Sequence, residues 1–338
     1  MKPMREQHYN LQFEKLCKAL GLGELTATPE AISGGLLNRM YAVVTTSGKY
    51  AVKALNPQIM MRPTALANYL QAEQVVTLVA DHLPAQPAIR VNGTFMQQIE
   101  GQYYLVFDWI DGQTLQAAEC TETHCRQMGA ILAQIHNTDF SVMGKSERGA
   151  QTPQRIDWRN YLEQGFAQAA VWANLMADTT QQLTLWNETV QEAAKSLAGE
   201  QIYSHRDLEP KNVMWRQGNP IVIDWESAGP IHPKVDLIET AIYWSGNEDG
   251  TVDKGRFDAF VAGYKGSNGC LEADWSSVLA FGYLSRLEWL EYSLKRSLGL
   301  ESTDEGDQTA GTEQVTATIR SLIDYENMVS RLASWLND

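Results

Sequence analysis

The sequence predicts an α+β fold of two lobes: an antiparallel β-sheet lobe carrying one main helix, then a lobe that is mostly helical. Three observations carry that expectation. The first third holds short β-branched and aromatic runs cut by tight turns. The remainder is dominated by long amphipathic stretches, and the texture changes near Phe107–Gly112. Lobes over 1–110 and 111–338 follow from that seam, and 338 residues at 44% apolar composition suffice to bury two cores.

From the amino terminus, Leu11, Phe13, Leu16, Cys17 and Leu20 recur at near-helical spacing, and Gly21 and Gly23 stop the helix expected over His8–Leu20. Between Leu25 and Leu55, SGGLLN (33–38) and TSGK (46–49) divide the apolar runs into three antiparallel strands. Pro63 suits a first helical turn, and Leu66, Leu70, Val75 and Leu78 mark a helix over Thr64–Val79. Strands are expected at Ala88–Val91 and Tyr103–Phe107, then a turn at Asp111-Gly112 and a long helix over Thr121–Asn137. Val213–Trp215 and Ile221–Ile223 flank Gly218-Asn219 as a hairpin. Glu301–Glu313, acidic and polar, reads either as a mobile loop between two C-terminal helices or as a frayed helix end.

Charge excludes several function classes. Lys+Arg number 27 against 41 Asp+Glu, a formal charge of −14. A nucleic-acid binder needs clustered Lys/Arg to neutralise phosphates, and this chain has no basic run. No stretch approaches the ~18 consecutive apolar residues of a membrane span. MKPMREQHYN lacks the apolar core of an export signal, and Cys17, Cys120, Cys125 and Cys270 form no CxxC pair. A cytoplasmic protein with no membrane or nucleic-acid partner is expected.

The densest chemical signal is YSHRDLEPKNVMW (203–215) followed by IVIDWE (221–226). One loop offers Asp207 and Asn212, and the end of the next strand offers Asp224. Oxygen ligands from two adjacent segments suit Mg²⁺, which takes few protein ligands and fills its shell with water and phosphate oxygens. His205-Arg206-Asp207, with Asn212 five residues on, matches the catalytic-loop pattern of phosphoryl-transfer enzymes, in which the Asp accepts the substrate hydroxyl proton. The bland alternative is that Asp207 and Asn212 cap a turn. Upstream, YAVKAL (50–55) sets Lys53 among apolar strand residues, and Glu73 lies on the helix that follows. Such a pair holds nucleotide phosphates in kinase-type folds; a solvent-facing strand lysine and an exposed helical charge are the alternatives. Ser33, Gly34 and Gly35 could turn backbone N–H groups toward phosphates, or simply join two strands.

The order GGxxN, strand Lys, helix Glu, YLVFDWIDG, HRDxxxxN and IDWE resembles the aminoglycoside phosphotransferase/choline kinase family, a branch of the protein-kinase-like fold, over about Ile32–Ile242. The resemblance implies a bilobal protein-kinase-like fold and a γ-phosphoryl transfer from ATP, or GTP, to a small-molecule hydroxyl, with Mg²⁺ as cofactor. It implies that Lys53 holds the nucleotide phosphates, Glu73 orients Lys53, and the backbone of Asp108, Trp109 and Ile110 meets the adenine edge. Asp207 would be the catalytic base, with Asn212 and Asp224 as metal ligands. Asp236 resembles the structural Asp opening the helix behind the catalytic loop, where an N-capping role suits it.

The sequence also departs from relatives. Glu209 stands where protein kinases usually carry Lys, and Lys211 is the candidate replacement charge, with a surface location as the alternative. Asp224 precedes Trp-Glu, not Phe-Gly, and Asp236 follows too closely for a long activation segment. A protein substrate is therefore disfavoured. Candidate acceptor walls are Trp158–Gly165, Tyr243–Gly250 and Leu284–Leu294, offering Trp158, Trp244, Trp289 and Tyr292 beside Asp157, Glu248, Asp249, Glu288 and Glu291. Carboxylates beside aromatic faces favour a cationic acceptor, such as an aminoglycoside; ordinary core and surface roles are the alternative. A housekeeping kinase for choline, ethanolamine, a sugar or homoserine, and a nucleotide-binding module without turnover, are the competing functions. His124 between Cys120 and Cys125 does not make a zinc site, because one helix cannot present these ligands tetrahedrally.

Overall fold

The computed structural model describes residues 9–32, 37–144, 153–302 and 304–337. The chain divides into two compact units. One comprises Met1–Gln116, Thr138–Met143 and His205–Gly229; the other comprises Ala117–Asn137, Gly144–Ser204 and Pro230–Asp338. Along the chain the elements begin with α1 (Phe13–Leu20), β1 (Glu30–Ile32), β2 (Arg39–Thr45), β3 (Gly48–Ala54), α2 (Pro57–Met60) and α3 (Ala65–Ala80). There follow β4 (Gln97–Ile99), β5 (Gln102–Asp108), α4 (Glu122–His136), α5 (Trp158–Ala167), α6 (Ala173–Ser196) and β6 (Ile202–Ser204). The last are β7 (Val213–Arg216), β8 (Asn219–Val222), β9 (Gly229–Ile231), α7 (Pro233–Ser245), α8 (Lys254–Gly266), α9 (Trp275–Phe281), α10 (Tyr283–Ser297) and α11 (Glu305–Asn337).

The first unit is built on an antiparallel sheet ordered β1-β2-β3-β5-β4. Strand alternation gives the sheet two buried faces. On one, Val43, Val52, Ala54, Tyr104 and Val106 pack with Leu16, Cys17 and Leu20 of α1. On the other, Leu55 and Leu105 pack with Tyr69 of α3. Burying each such Val or Leu contributes ~1.5–3 kcal/mol before entropy is counted. Lys53, opposite Met40 and Leu105 on central strand β3, is 5% exposed. Gly21 ends α1 with φ +67°, and its N–H returns to the Cys17 and Lys18 carbonyls.

The strand expected at Ala88–Val91 is not formed. The Ala88 N–H goes to the Glu73 carboxylate and the Ile89 N–H to the Val106 carbonyl. Val91 bonds Thr94 across Asn92-Gly93, both at positive φ, and the edge strand is β4 instead. The hairpin β7–β8 forms with a register slip: Arg216 faces Asn219, so the turn residues are Gln217 and Gly218, both at positive φ as a type I′ turn requires. The expectation centred on Gly218-Asn219 was one residue late.

In the helical unit, Thr121 and His124 form a reciprocal capping box that opens α4, which is the role His124 has. Helix α4 packs on α8 through two glycines. A Cβ on Gly129 would lie 2.0 Å from the Phe260 carbonyl oxygen, and one on Gly263 would lie 2.0 Å from that of Arg126. His136 bonds Tyr264 at 2.9 Å and Asp236 at 2.8 Å. Asp236 is thus a buried partner of His136 in the first turn of α7, while His232 caps that helix through its ring nitrogen. The N-capping role expected for Asp236 belongs to His232. Residues 305–313 are helical, not a loop. Glu305 and Asp307 favour a helix N-terminus, Asp304 accepts the Asp307 N–H at 2.8 Å, and Arg296 pairs with Asp307. Among the described residues no helix is long and apolar enough to cross a membrane.

Candidate active site

Four segments of the first unit supply the site: β3, α3, the loop from His205 to Asn212, and the turn after β8. The loop is fixed from both ends. His205, fully buried, accepts the Asp207 N–H on Nδ1 at 3.2 Å and donates from Nε2 to the Ile223 carbonyl at 2.9 Å. A backbone N–H can only donate, so the ring is held as the Nε2–H tautomer. It packs beside Trp225, with ring centroids 4.6 Å apart and the planes inclined at 59°. Asn212 then closes the loop by donating from Nδ2 to the Asp207 backbone carbonyl at 2.7 Å and to Asp207 Oδ2 at 2.9 Å. The Ile223 N–H reaches the Asn212 carbonyl at 2.9 Å, which sets the loop beside the residue preceding Asp224.

Asp224 sits in the left-handed region, with φ +59° and ψ +57°. For a non-glycine this costs ~1 kcal/mol, and it aims the carboxylate back toward β3. There Lys53 Nζ donates to Asp224 Oδ1 at 2.5 Å and to Glu226 Oε2 at 2.8 Å. Glu226 Oε2 also accepts from Asn38 Nδ2 at 2.8 Å, and that amide donates to the Tyr69 hydroxyl at 3.0 Å. The Asn38 oxygen accepts the Asn56 N–H at 2.8 Å. A cation, two carboxylates, an amide and a phenol are thereby tied into one network.

Electrostatics separates the carboxylates. Burial, reinforced by neighbouring Glu209, pushes Asp207 up to about 8. Burial works the same way on Asp224, but the Lys53 ammonium outweighs it and holds Asp224 below the usual range. Burial alone would lower the Lys53 pKa; Glu226 and Asp224 reverse that and raise it. Glu73 is pushed up to about 7 by burial, against the Ala88 N–H bond and the Lys53 charge.

Lys53, Asp224, Asp207 and Asn212 come together. Glu73 is buried at 5% exposure, yet its Oε2 accepts the Ala88 N–H at 2.8 Å, and Lys53 acts on it through space. Direct bonding of Glu73 to Lys53 is not what forms, because Asp224 and Glu226 take the ammonium. Ser33, Gly34 and Gly35 lie outside the described residues. The Asp108 carbonyl accepts from Gln86 Nε2 at 2.6 Å, and the Ile110 carbonyl from the Gly112 N–H at 3.1 Å. The Trp109 ring lies 3.6 Å from the Lys49 ammonium. Sequence reasoning missed Asn38, Tyr69, Glu226 and the tethering role of His205. The Asn of GGxxN and the second carboxylate of IDWE were the available signals.

Asn212 and Asp224 offer one amide and one carboxylate oxygen set, hard donors that fit Mg²⁺ with its water- and phosphate-filled shell. Among the described residues no three His, Cys, Asp or Glu side chains gather to hold a metal. In the helical unit, Trp158 and Trp244 are core residues at 2% and 0% exposure. Asp157 caps α5, Asp249 bonds Thr251, and Glu291 is engaged by Tyr161 at 2.9 Å and Lys295 at 3.2 Å. Trp289 and Tyr292 lie against each other with centroids 5.6 Å apart.

A model described as "Phosphotransferase enzyme family" matches residues 28–270. A homoserine kinase of Methylobacillus glycogenes is 24% identical over 294 residues, covering 83% of this chain and 86% of that protein. Among solved structures, a spectinomycin phosphotransferase in complex with ADP and spectinomycin superposes with TM-score 0.68 at 16% identity, over 96% of this chain and 99% of that one. An aminoglycoside phosphotransferase from Alicyclobacillus acidocaldarius gives TM-score 0.59 at 14% identity, over 99% of each chain. At such identities the structures share the fold, which is the bilobal protein-kinase-like one.

Proposed function

We propose, from the premise that the chain belongs to the phosphotransferase enzyme family, that it moves the γ-phosphoryl of ATP, or GTP, to a hydroxyl of a small amine-bearing acceptor. The observation that carries this reading is the meeting of Lys53 and Asp224, 171 residues apart in sequence and 2.5 Å apart in space, next to the loop bearing Asp207 and Asn212. Asp207 accepts the proton of the acceptor hydroxyl as that oxygen bonds the γ-phosphorus and the bridging β–γ bond breaks. A pKa near 8 leaves Asp207 partly ionised at neutral pH and makes it a competent proton acceptor. Asn212 orients it through the 2.9 Å bond to Oδ2. Lys53, held on a central strand, presents its ammonium to the nucleotide phosphates, with the buried Glu73 nearby. Asn212 and Asp224 would hold Mg²⁺, which supplies charge neutralisation at the phosphates. The Asp108–Ile110 backbone would meet the adenine edge.

Net charge of −14 favours a cationic acceptor. An aminoglycoside-type antibiotic is the first reading, supported by the two structures above. L-homoserine is the second, supported by the relative that spans 83% of the chain. Both carry a hydroxyl and an amine. The test is a thermal-shift panel with Mg-ATP and Mg-GTP, then a coupled ADP-release screen over aminoglycosides, macrolides, L-homoserine, choline and ethanolamine. Nucleotide-dependent stabilisation with turnover on one of these supports the reading. Stabilisation with no turnover on any of them replaces it with a nucleotide-binding module.

A further inference from the structure

Two lysines form ion pairs with three of the carboxylates of the catalytic segments, Asp224, Glu226 and Glu209, and they are held differently. Lys53 is committed to Asp224 and Glu226 and its side chain is 6% exposed. Lys211 pairs with Glu209 at 3.0 Å, with its own side chain 55% exposed and that of Glu209 25%. Both sit on a stiff piece of backbone. Pro210 fixes φ at the start of the Pro210–Asn212 turn. The Glu209 N–H bonds the Asp207 carbonyl, and the Asn212 N–H bonds the Glu209 carbonyl, each at 2.9 Å. Lys211 therefore immediately precedes the amide that clamps Asp207, and its ammonium lies in the field of Asp207 and Asp224 as well as Glu209.

We propose that Lys211 is a phosphoryl-contacting cation of this site and that Glu209 is the residue that positions it. The proposal rests on the phosphotransfer reading above. A phosphoryl group in flight spreads negative charge over three equatorial oxygens. A bare carboxylate at Glu209 would repel it, and Lys53 is already shared by two carboxylates. Lys211 resolves both difficulties. An ammonium has three donors, so it keeps one on Glu209 and turns another to the γ-phosphoryl as the acceptor–phosphorus bond forms and the β–γ bond breaks. The lysine gives up no proton; the acceptor's proton goes to Asp207. Glu209, neutralised by the same contact, stops being a repulsive charge and becomes a tether.

The experiment uses the full chain with Mg-ATP and water as the acceptor, reading ADP release, so it needs no knowledge of the natural acceptor. Lys211→Met should lower kcat by ~30–100-fold with the KM for ATP changed less than ~3-fold, as for loss of one charged contact in the transition state. Lys211→Arg should keep most of the rate, and Glu209→Gln should cost less than Lys211→Met. The exchange Glu209→Lys with Lys211→Glu should recover at least ~10-fold over Lys211→Met, since the cation returns to the same turn. A merely structural pair would instead show unchanged kcat with a lowered Tm. Asp207→Asn runs alongside. If Asp207→Asn is inactive and Lys211→Met keeps full kcat, the role of Lys211 is overturned and phosphotransfer stands. If the unmodified protein releases no ADP with water or with any acceptor of the screen above, or Asp207→Asn is fully active, the phosphotransfer reading falls and this proposal falls with it.

Discussion

At the residue scale, each carboxylate is defined by what lies next to it. Asp207→Ala should lower turnover by ~10²–10⁴-fold, the usual range for loss of a general base, while calorimetry finds Mg-ATP affinity nearly intact; unchanged turnover would remove Asp207 from the mechanism. Asp224→Ala should abolish the magnesium dependence of nucleotide binding in the same calorimeter, and undiminished binding would dismantle the metal assignment. Glu73 offers a thermodynamic test. Its pKa is about 7 in the fold against 4.5 ordinarily, so the protonated form is the one the fold prefers. The stabilisation is therefore complete below pH ~4.5 and lost as pH rises through about 7, a change of ~3 kcal/mol by linkage. Glu73→Gln keeps an oxygen for the Ala88 N–H without the charge. Its Tm relative to the unmodified protein should climb over that window, and parallel Tm curves would refute the burial argument. Asp207, Asn212, Asp224 and Lys53 were legible because polar residues stood out inside apolar strand patterns or a dense motif. Tyr69 was not, since a Tyr on a helix carries no distinctive spacing, and Asn38 stood in the GGxxN motif with nothing to indicate its partner. Their significance lies in meeting Glu226 across 188 residues in the case of Asn38.

At the element scale, the α4–α8 crossing is the most exacting packing in the helical unit. Gly129→Ala and Gly263→Ala each drive a methyl into a backbone carbonyl, which cannot swing aside as a side chain would. Each should cost ~3 kcal/mol or more, read as a fall in the urea midpoint, whereas Gly266→Ala on the same helix, open around its Cβ position, should not destabilise. A wild-type midpoint for Gly129→Ala would mean the helices can separate at no cost. Strong periodicity made α1, α3, α4 and the central strands legible. The failures have local causes. Ala88–Val91 has a strand's composition, but its Ala88 N–H is claimed by a carboxylate and its Val91 N–H by an adjacent tight turn. Residues 305–313 look like loop because they are polar and contain glycine. In the fold Gly311 is the spacer that lets α11 approach Arg296, whose Cβ would stand 2.6 Å from an added methyl. Such uses of polarity and smallness are tertiary, invisible in a linear pattern.

At the scale of the whole molecule, the charge of −14 should show in the salt dependence of acceptor binding. A cationic acceptor should see its KM rise with ionic strength while kcat holds, as screening shortens the reach of the field to ~8 Å at physiological salt. A KM indifferent to salt would argue for a neutral acceptor. The way the first unit is assembled, from three stretches ending at Gly229, has a consequence during synthesis. While a ribosome is still translating the intervening helices, Lys53 has been made but Asp224 and Glu226 have not. The nascent sheet must wait, its central ammonium lacking both counter-charges, until more than half the polypeptide has cleared the exit tunnel. Maturation of this nucleotide-facing half is thereby a late event on the ribosome, even though its strands are among the first residues to emerge.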